Sequence, residues 1–155
     1  MRLSIPGRGT YELDHLALDM NGTIAADGEL LEGVAERLQA LTESLRPVLL
    51  TADTHGGAVR MGDILGLEVI ILEPGDEAEQ KLEVVRRLGS ERTVAIGNGA
   101  NDELMLRESA LGICVVGAEG ASIAALLASD VVVTHIRDAF ELLLKPRRVL
   151  ATLRR

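Results

Sequence analysis

Residues 16–23 read Leu-Ala-Leu-Asp-Met-Asn-Gly-Thr: an apolar run ending on Asp19, followed at once by Gly22 and Thr23. A short apolar run that stops at a turn is the pattern of a buried strand. In open α/β sheets ligands bind just beyond the carboxyl ends of the strands, so a lone carboxylate at that point meets substrate. Its position makes Asp19 a candidate nucleophile.

Outward from this strand the chain alternates between two periods. Upstream, Leu3 and Ile5, then Tyr11 and Leu13, alternate about Pro6-Gly7-Arg8-Gly9, which predicts a small hairpin over residues 2–13. Downstream, Leu30, Leu31, Val34, Leu38, Leu41 and Leu45 recur at helical spacing, predicting a helix over 30–45 closed by Pro47. Val48-Leu49-Leu50 then reads as a buried strand ending at Thr51. The same reading gives helices over 56–65, 77–88, 101–109, 121–128 and 137–144 and strands over 68–72, 93–96, 111–116 and 130–133. Short apolar strands between helices imply right-handed crossovers and a parallel sheet with helices on both faces. Between Asp19 and the first helix there is space for only a tight turn near Ala25–Glu29, so the expectation is a single α/β domain over 1–155.

Composition agrees. Hydrophobic residues make up 47% of the 155, yet only Tyr11 and Phe140 are aromatic, so the core is built from Leu, Val, Ile and Ala. The net charge of −8 repels nucleic acid and anionic lipid, which argues against nucleic-acid binding. No apolar stretch approaches the roughly 18 residues of a membrane span and no signal-peptide core is visible, so a cytoplasmic protein is expected. The single Cys114, inside Leu-Gly-Ile-Cys-Val-Val, reads as an inert core thiol.

Three further polar groups fall at strand ends or within reach of them. Thr51, followed by Ala52-Asp53-Thr54-His55-Gly56-Gly57, has two readings: a hydroxyl that holds a phosphate oxygen, or a helix cap. Lys81, on an acid-rich helix, is either solvated or reaches the sheet edge to meet a carboxylate and a phosphate. The stretch 94–105, Val-Ala-Ile-Gly-Asn-Gly-Ala-Asn-Asp-Glu-Leu-Met, turns off its strand at Gly97 and Gly99 and offers Asn98, Asn101 and Asp102. Amide and carboxylate oxygens converging there suit Mg²⁺; helix capping is the alternative.

Asp19-Met20-Asn21-Gly22-Thr23, Thr51, Lys81 and Gly97-Asn98-Gly99-Ala100-Asn101-Asp102, in that order and spacing, resemble the motifs of the haloacid dehalogenase superfamily of aspartyl-phosphate hydrolases. Within it the chain looks most like small soluble P-type-ATPase-like proteins lacking a cap domain, and the resemblance covers essentially the whole chain. It implies a Rossmann-like fold and a catalytic set of Asp19, Asn21, Thr51 and Lys81. It also implies phosphate binding by Asp19, Gly22, Thr51, Ala52 and Lys81, and Mg²⁺ held by Asp19, the Asn21 carbonyl, Asn98 and Asp102. The implied substrate is a phosphorylated small molecule or nucleotide.

Two residues depart from that pattern. Asn21 stands where related phosphatases usually carry a proton-donating aspartate, so help with the leaving group is missing and activated phosphates or nucleotides are favoured. Asn98 stands where a metal-binding aspartate is common. These amides also leave room for a weakly active or inactive module that binds phosphate and Mg²⁺. With no cap to cover the site, a second copy of the chain is a candidate cover, making a homo-oligomer an expectation.

Overall fold

A computed structural model describes residues 1–52 and 57–155. The N-terminal alternation becomes an antiparallel hairpin, β1 (Arg2–Ile5) with β2 (Gly9–Glu12), in which Leu3 faces Tyr11 and Leu3 and Ile5 enter the core. Beyond it run β3 (His15–Asp19), β4 (Ala25–Ala26), β5 (Glu29–Leu30), α1 (Val34–Leu41), β6 (Arg46–Thr51), α2 (Gly57–Leu65) and β7 (Glu68–Ile71). The second half contains α3 (Glu77–Leu88), β8 (Thr93–Gly97), α4 (Glu103–Glu108), β9 (Leu111–Val115), α5 (Ile123–Ala128), β10 (Val131–Val133), α6 (Ile136–Leu144) and α7 (Pro146–Leu153).

Six parallel strands form one sheet in the order β10-β9-β8-β3-β6-β7. From β3 the chain builds outward through β6 and β7, then returns to lay β8 on the other flank of β3. Strand order therefore reverses beside β3, and the crevice at such a reversal is where open α/β sheets bind ligands. Asp19 ends the strand at that point.

The strand period of two sorts side chains onto the two faces. Leu16, Leu18, Val94, Ile96 and Ile113 pack with Val34, Leu38 and Leu41 of α1 and with Phe140 of α6. Ala17, Ala95 and Cys114 pack on the other face with Val84 and Val85 of α3 and Met105 and Leu106 of α4. The small strand residues on this second face let its helices lie close: a Cβ at Gly112 would come within 2.4 Å of the Leu106 carbonyl oxygen.

The helix expected over 30–45 is shorter at both ends. Leu30 belongs to β5, and Gly33, in the left-handed region at φ 77°, precedes the first helical turn. At the other end Thr42 and Ser44 hydroxyls donate to the Gln39 and Leu41 carbonyls, side-chain bonds that compete with further helix. Pro47 consequently lies within β6 and does not end the helix. The turn expected at 25–29 is the β4–β5 hairpin, and the helix expected over 101–109 begins as a 3₁₀ turn, Ala100–Asp102, before α4. No periodicity pointed to α7, which starts with Pro146 at a position whose N–H would have no intrahelical acceptor in any case, and which buries Val149. Among the described residues no helix is long and apolar enough to cross a membrane.

Candidate active site

The same alternation decides what Asp19 faces. Ala17 shares its core with Val84 and Val85 of α3, and the strand period puts Asp19 on that face. Lys81 precedes Val84 and Val85 by three and four residues, so it occupies the same face of the helix one turn closer to its N-terminus. The two meet: Lys81 Nζ donates to Asp19 Oδ1 at 2.7 Å and to Asp102 Oδ1 at 2.6 Å, with Lys81 only 1% exposed.

Asp102 is fully buried. Its Oδ2 accepts from the backbone N–H groups of Asn98 (2.9 Å) and Gly99 (2.8 Å). A Cβ at Gly97 would lie 2.4 Å from Asp102 Cγ, so this fold-back requires glycine there. The sequence reading offers Asp102 as a metal ligand; in the structure both of its oxygens face donors, and it does not line the cleft. Its place is behind Lys81, holding the ammonium and the 97–102 loop.

On the other side of Asp19, the Thr23 hydroxyl lies 3.1 Å from Asp19 Oδ2 and 3.2 Å from Asn98 Oδ1, so one hydrogen serves two acceptors. The Asn98 amide is oriented by its other end, Nδ2 donating to the Gly120 carbonyl at 3.1 Å. Gly22, at φ +75°, turns beneath it, and a Cβ there would fall 2.4 Å from Asn98 Nδ2. Gly22, which the resemblance offers for phosphate binding, donates its amide N–H to the Ala25 carbonyl at 2.8 Å. Ala25 also donates to the Met20 carbonyl at 3.0 Å, and the backbone groups of the intervening Asn21 stay outside this pairing.

These groups border a cleft of about 430 Å³, whose wall includes Asp19, Asn21, Thr51, Ala52, Lys81, Asn98 and Gly99. Asp19 pairs with Leu50 across the sheet, so Thr51 stands one residue beyond the level of Asp19. Thr51 is buried at the end of β6 and lines the cleft. His55 and its neighbours in 53–56 lie outside the described residues.

Thr23, Glu77 and Glu119 also contribute, and sequence reasoning assigned them no role. Glu77 and Glu119 line the cleft, where Glu77 accepts from Asn101 Nδ2 at 2.6 Å. Asn101 thus reaches the cleft wall without joining Asn98 at Asp19. Glu77 had a signal, since it precedes Lys81 by four residues on the same helix and must share its face.

Burial, followed by the Asp102 charge, pushes the Asp19 carboxyl up to about 6 despite the opposing Lys81 ammonium and Thr23 hydrogen bond. Burial pulls Lys81 down, but Asp19 and Asp102 outweigh it and hold the ammonium above its ordinary value. Burial, with Asp102 nearby, pushes Cys114 up to about 11, so it remains a thiol at neutral pH. Among the described residues no three His, Cys, Asp or Glu side chains converge as a metal site, so the oxygen donors at the cleft are of mixed type.

A soluble P-type ATPase-like phosphatase of Methanocaldococcus jannaschii is 26% identical over 133 residues, 84% of this chain and 49% of that protein. The chain therefore spans about half the length of that relative. An uncharacterized protein of the same organism is 48% identical over 84 residues, 52% of this chain and 90% of its own length. Among solved structures, a 3-deoxy-D-manno-octulosonate 8-phosphate phosphatase from Moraxella catarrhalis, in complex with magnesium ion, phosphate ion and KDO, superposes with a TM-score of 0.73. It is 21% identical and the match covers 90% of each chain. A phospho-aspartyl intermediate analogue of phosphoserine phosphatase gives 0.67 at 14% identity, over 86% of this chain and 99% of that one. Both share the fold. The sequence model of the haloacid dehalogenase-like hydrolases matches residues 5–109, more than half of the chain and all four motifs up to Asp102, and the chain belongs to that family.

Proposed function

We propose that this protein is a Mg²⁺-dependent phosphohydrolase that works through a phosphoryl group carried on Asp19. The observation that carries this reading is the setting of Asp19: a buried carboxylate at the strand-order reversal, one oxygen on Lys81 and the other on the Thr23–Asn98 side of an open cleft. Asp19 Oδ2 and Asn98 Oδ1 compete for one hydroxyl hydrogen, which leaves a hard oxygen under-satisfied. With Asn21 on the same cleft wall, these donors fit Mg²⁺, which accepts few protein ligands and keeps several waters. Asp19, Asn21 and Asn98 would hold the ion, which when bound supplies neutralisation of charge between carboxylate and phosphoryl group.

The remaining steps belong to the chain. Asp19 forms the new O–P bond as the ester P–O bond breaks and its electron pair leaves on the departing oxygen. Lys81, the Thr51 hydroxyl and the Ala52 N–H hold the phosphoryl oxygens. Water then cleaves the aspartyl-phosphate, releasing phosphate and restoring Asp19. Asn21 cannot protonate the departing oxygen, so leaving groups that depart as stable anions are favoured, activated phosphates among them.

The test is phosphate release from ATP, acetyl phosphate, p-nitrophenyl phosphate and sugar phosphates, with and without Mg²⁺, beside Asp19→Asn. Mg²⁺-dependent turnover that Asp19→Asn abolishes supports the reading, as does a phosphoryl group trapped on Asp19 by mass spectrometry. Asn21→Asp should raise hydrolysis of an unactivated monoester by about 10²-fold, the lower end of general acid–base assistance. Saturable phosphate or Mg²⁺ binding without turnover on any substrate would replace the enzyme with a binding module.

A further inference from the structure

Glu77 and Glu119 stand on the wall of the cleft that holds Asp19. Glu77 is fixed through Oε2 by Asn101. Glu119 is exposed on the turn whose Gly120 carbonyl is held by Asn98. Neither glutamate forms an ion pair among the described residues. Lys81 is the only cation on the described wall, and its charge already meets Asp19 and Asp102. Beyond the phosphoryl position, then, an entering molecule meets two carboxylates and no described positive charge. Such a wall repels the extra phosphates of a nucleoside polyphosphate and attracts a cation.

The missing acid at Asn21 narrows the choice in the same direction. As Asp19 forms its bond to phosphorus, the ester P–O bond breaks, and the oxygen leaves with the electron pair and takes its proton from water. An ammonium a few bonds away withdraws charge from that oxygen and makes it a better leaving group with no help from the protein.

Resting on the phosphohydrolase reading above, we propose that the preferred substrates are phosphomonoesters whose alcohol carries a cationic amine close to the ester oxygen, and that Glu77 and Glu119 recognise that amine. Neutral and anionic esters of the same size, and ATP, are disfavoured by the same two carboxylates.

The experiment compares kcat/KM for aminoethyl phosphate, ethyl phosphate, phosphoglycolate and ATP in Mg²⁺, with acetyl phosphate as the measure of Asp19-dependent turnover. Wild type should prefer aminoethyl over ethyl phosphate by at least about tenfold, the size of one charge-assisted hydrogen bond at a half-open site. In the double variant Glu77→Gln/Glu119→Gln that ratio should fall about tenfold toward the intrinsic leaving-group advantage. Because the ratio is taken within one preparation, a smaller folded fraction does not alter it. An unchanged ratio, or a preference for ATP over aminoethyl phosphate, on an enzyme that hydrolyses acetyl phosphate through Asp19 overturns this proposal and leaves the phosphohydrolase standing. Absence of Asp19-dependent turnover on every phosphate removes both.

Discussion

Asp19→Asn should make the metal-free protein more stable at neutral pH while abolishing turnover. Asp19 is buried next to a second buried carboxylate, with one ammonium between them, and its carboxyl is pushed from 3.8 up to about 6. The sign follows from linkage. An acid whose value is higher in the folded state favours folding fully below the unfolded value and loses that contribution as pH rises through the folded one. From 3.8 upward the unfolded chain ionises Asp19 freely, while the folded chain resists until about 6. At ~1.4 kcal/mol per pH unit, ionised Asp19 costs the folded protein about 3 kcal/mol above pH 7 and about half that at pH 5.

Asparagine is close in shape to the neutral acid, and the local bonds can accommodate it. Its oxygen can accept from Lys81, and its amide can donate to Thr23, whose own hydrogen then serves Asn98 alone. The expected result in chelator is a variant melting about 6–12 °C above wild type at pH 7.5, using ~2–4 °C per kcal/mol for a domain of this size. At pH 5 the gap should shrink to about half, and Mg²⁺ should narrow it at pH 7.5 by binding wild type preferentially. Calorimetric or circular-dichroism melts at both pH values check this. A variant no more stable than wild type at pH 7.5, or a gap that does not change with pH, would refute the reasoning.

Lys81→Met should cost about 3–5 kcal/mol in urea unfolding at pH 7.5, because it leaves Asp19 and Asp102 buried without their shared counter-ion; a loss under about 1 kcal/mol would mean water already neutralises the pair. Asn98→Asp removes the donor to the Gly120 carbonyl and sets oxygen against oxygen, so metal-free stability should fall by about 1–3 kcal/mol. The same change adds a charge at the proposed metal site, so titration calorimetry should show tighter Mg²⁺ binding, and no gain would remove residue 98 from the ligand set.

The strands, their parallel sense and the placement of Asp19 at a strand end were legible because buried strands are short apolar runs and the crossover rule supplies the rest. Helix limits were less legible. Leu30 and Leu31 continue the helical spacing of Val34 and Leu38, yet Gly33 at φ 77° separates them, and no periodicity records a backbone angle. Asn98 and Asp102 looked equivalent as ligands, being four residues apart after the same strand. Only the fold-back of Ala100–Asp102 onto the Asn98 and Gly99 amides turns one toward Thr23 and buries the other behind Lys81. Glu119 follows β9 at the sheet edge, but its direction depends on the 117–120 turn, which is set by a hydrogen bond from a loop elsewhere in the chain.

The position of Asp102 bears on the chemistry although it does not line the cleft. With Lys81 alone beside it, Asp19 would form a closed ion pair, its charge neutralised and its lone pairs engaged. Asp102 takes a second bond from the same ammonium at 2.6 Å, as short as the one to Asp19, and so shares the only cation that the described residues bring to the cluster. Two carboxylates and one ammonium leave a negative excess, and Asp102 is anchored by two backbone amides while Asp19 has one hydroxyl that it shares with Asn98. The excess therefore falls on Asp19, the carboxylate at the cleft, which agrees with the upward push that Asp102 exerts on it. A fold selected for stability alone would close this pair. Among the described residues the second carboxylate leaves Asp19 short of positive charge on the side where Asn21 and Asn98 face the cleft, so in the proposed function an incoming cation and the phosphoryl group it screens would complete the cluster.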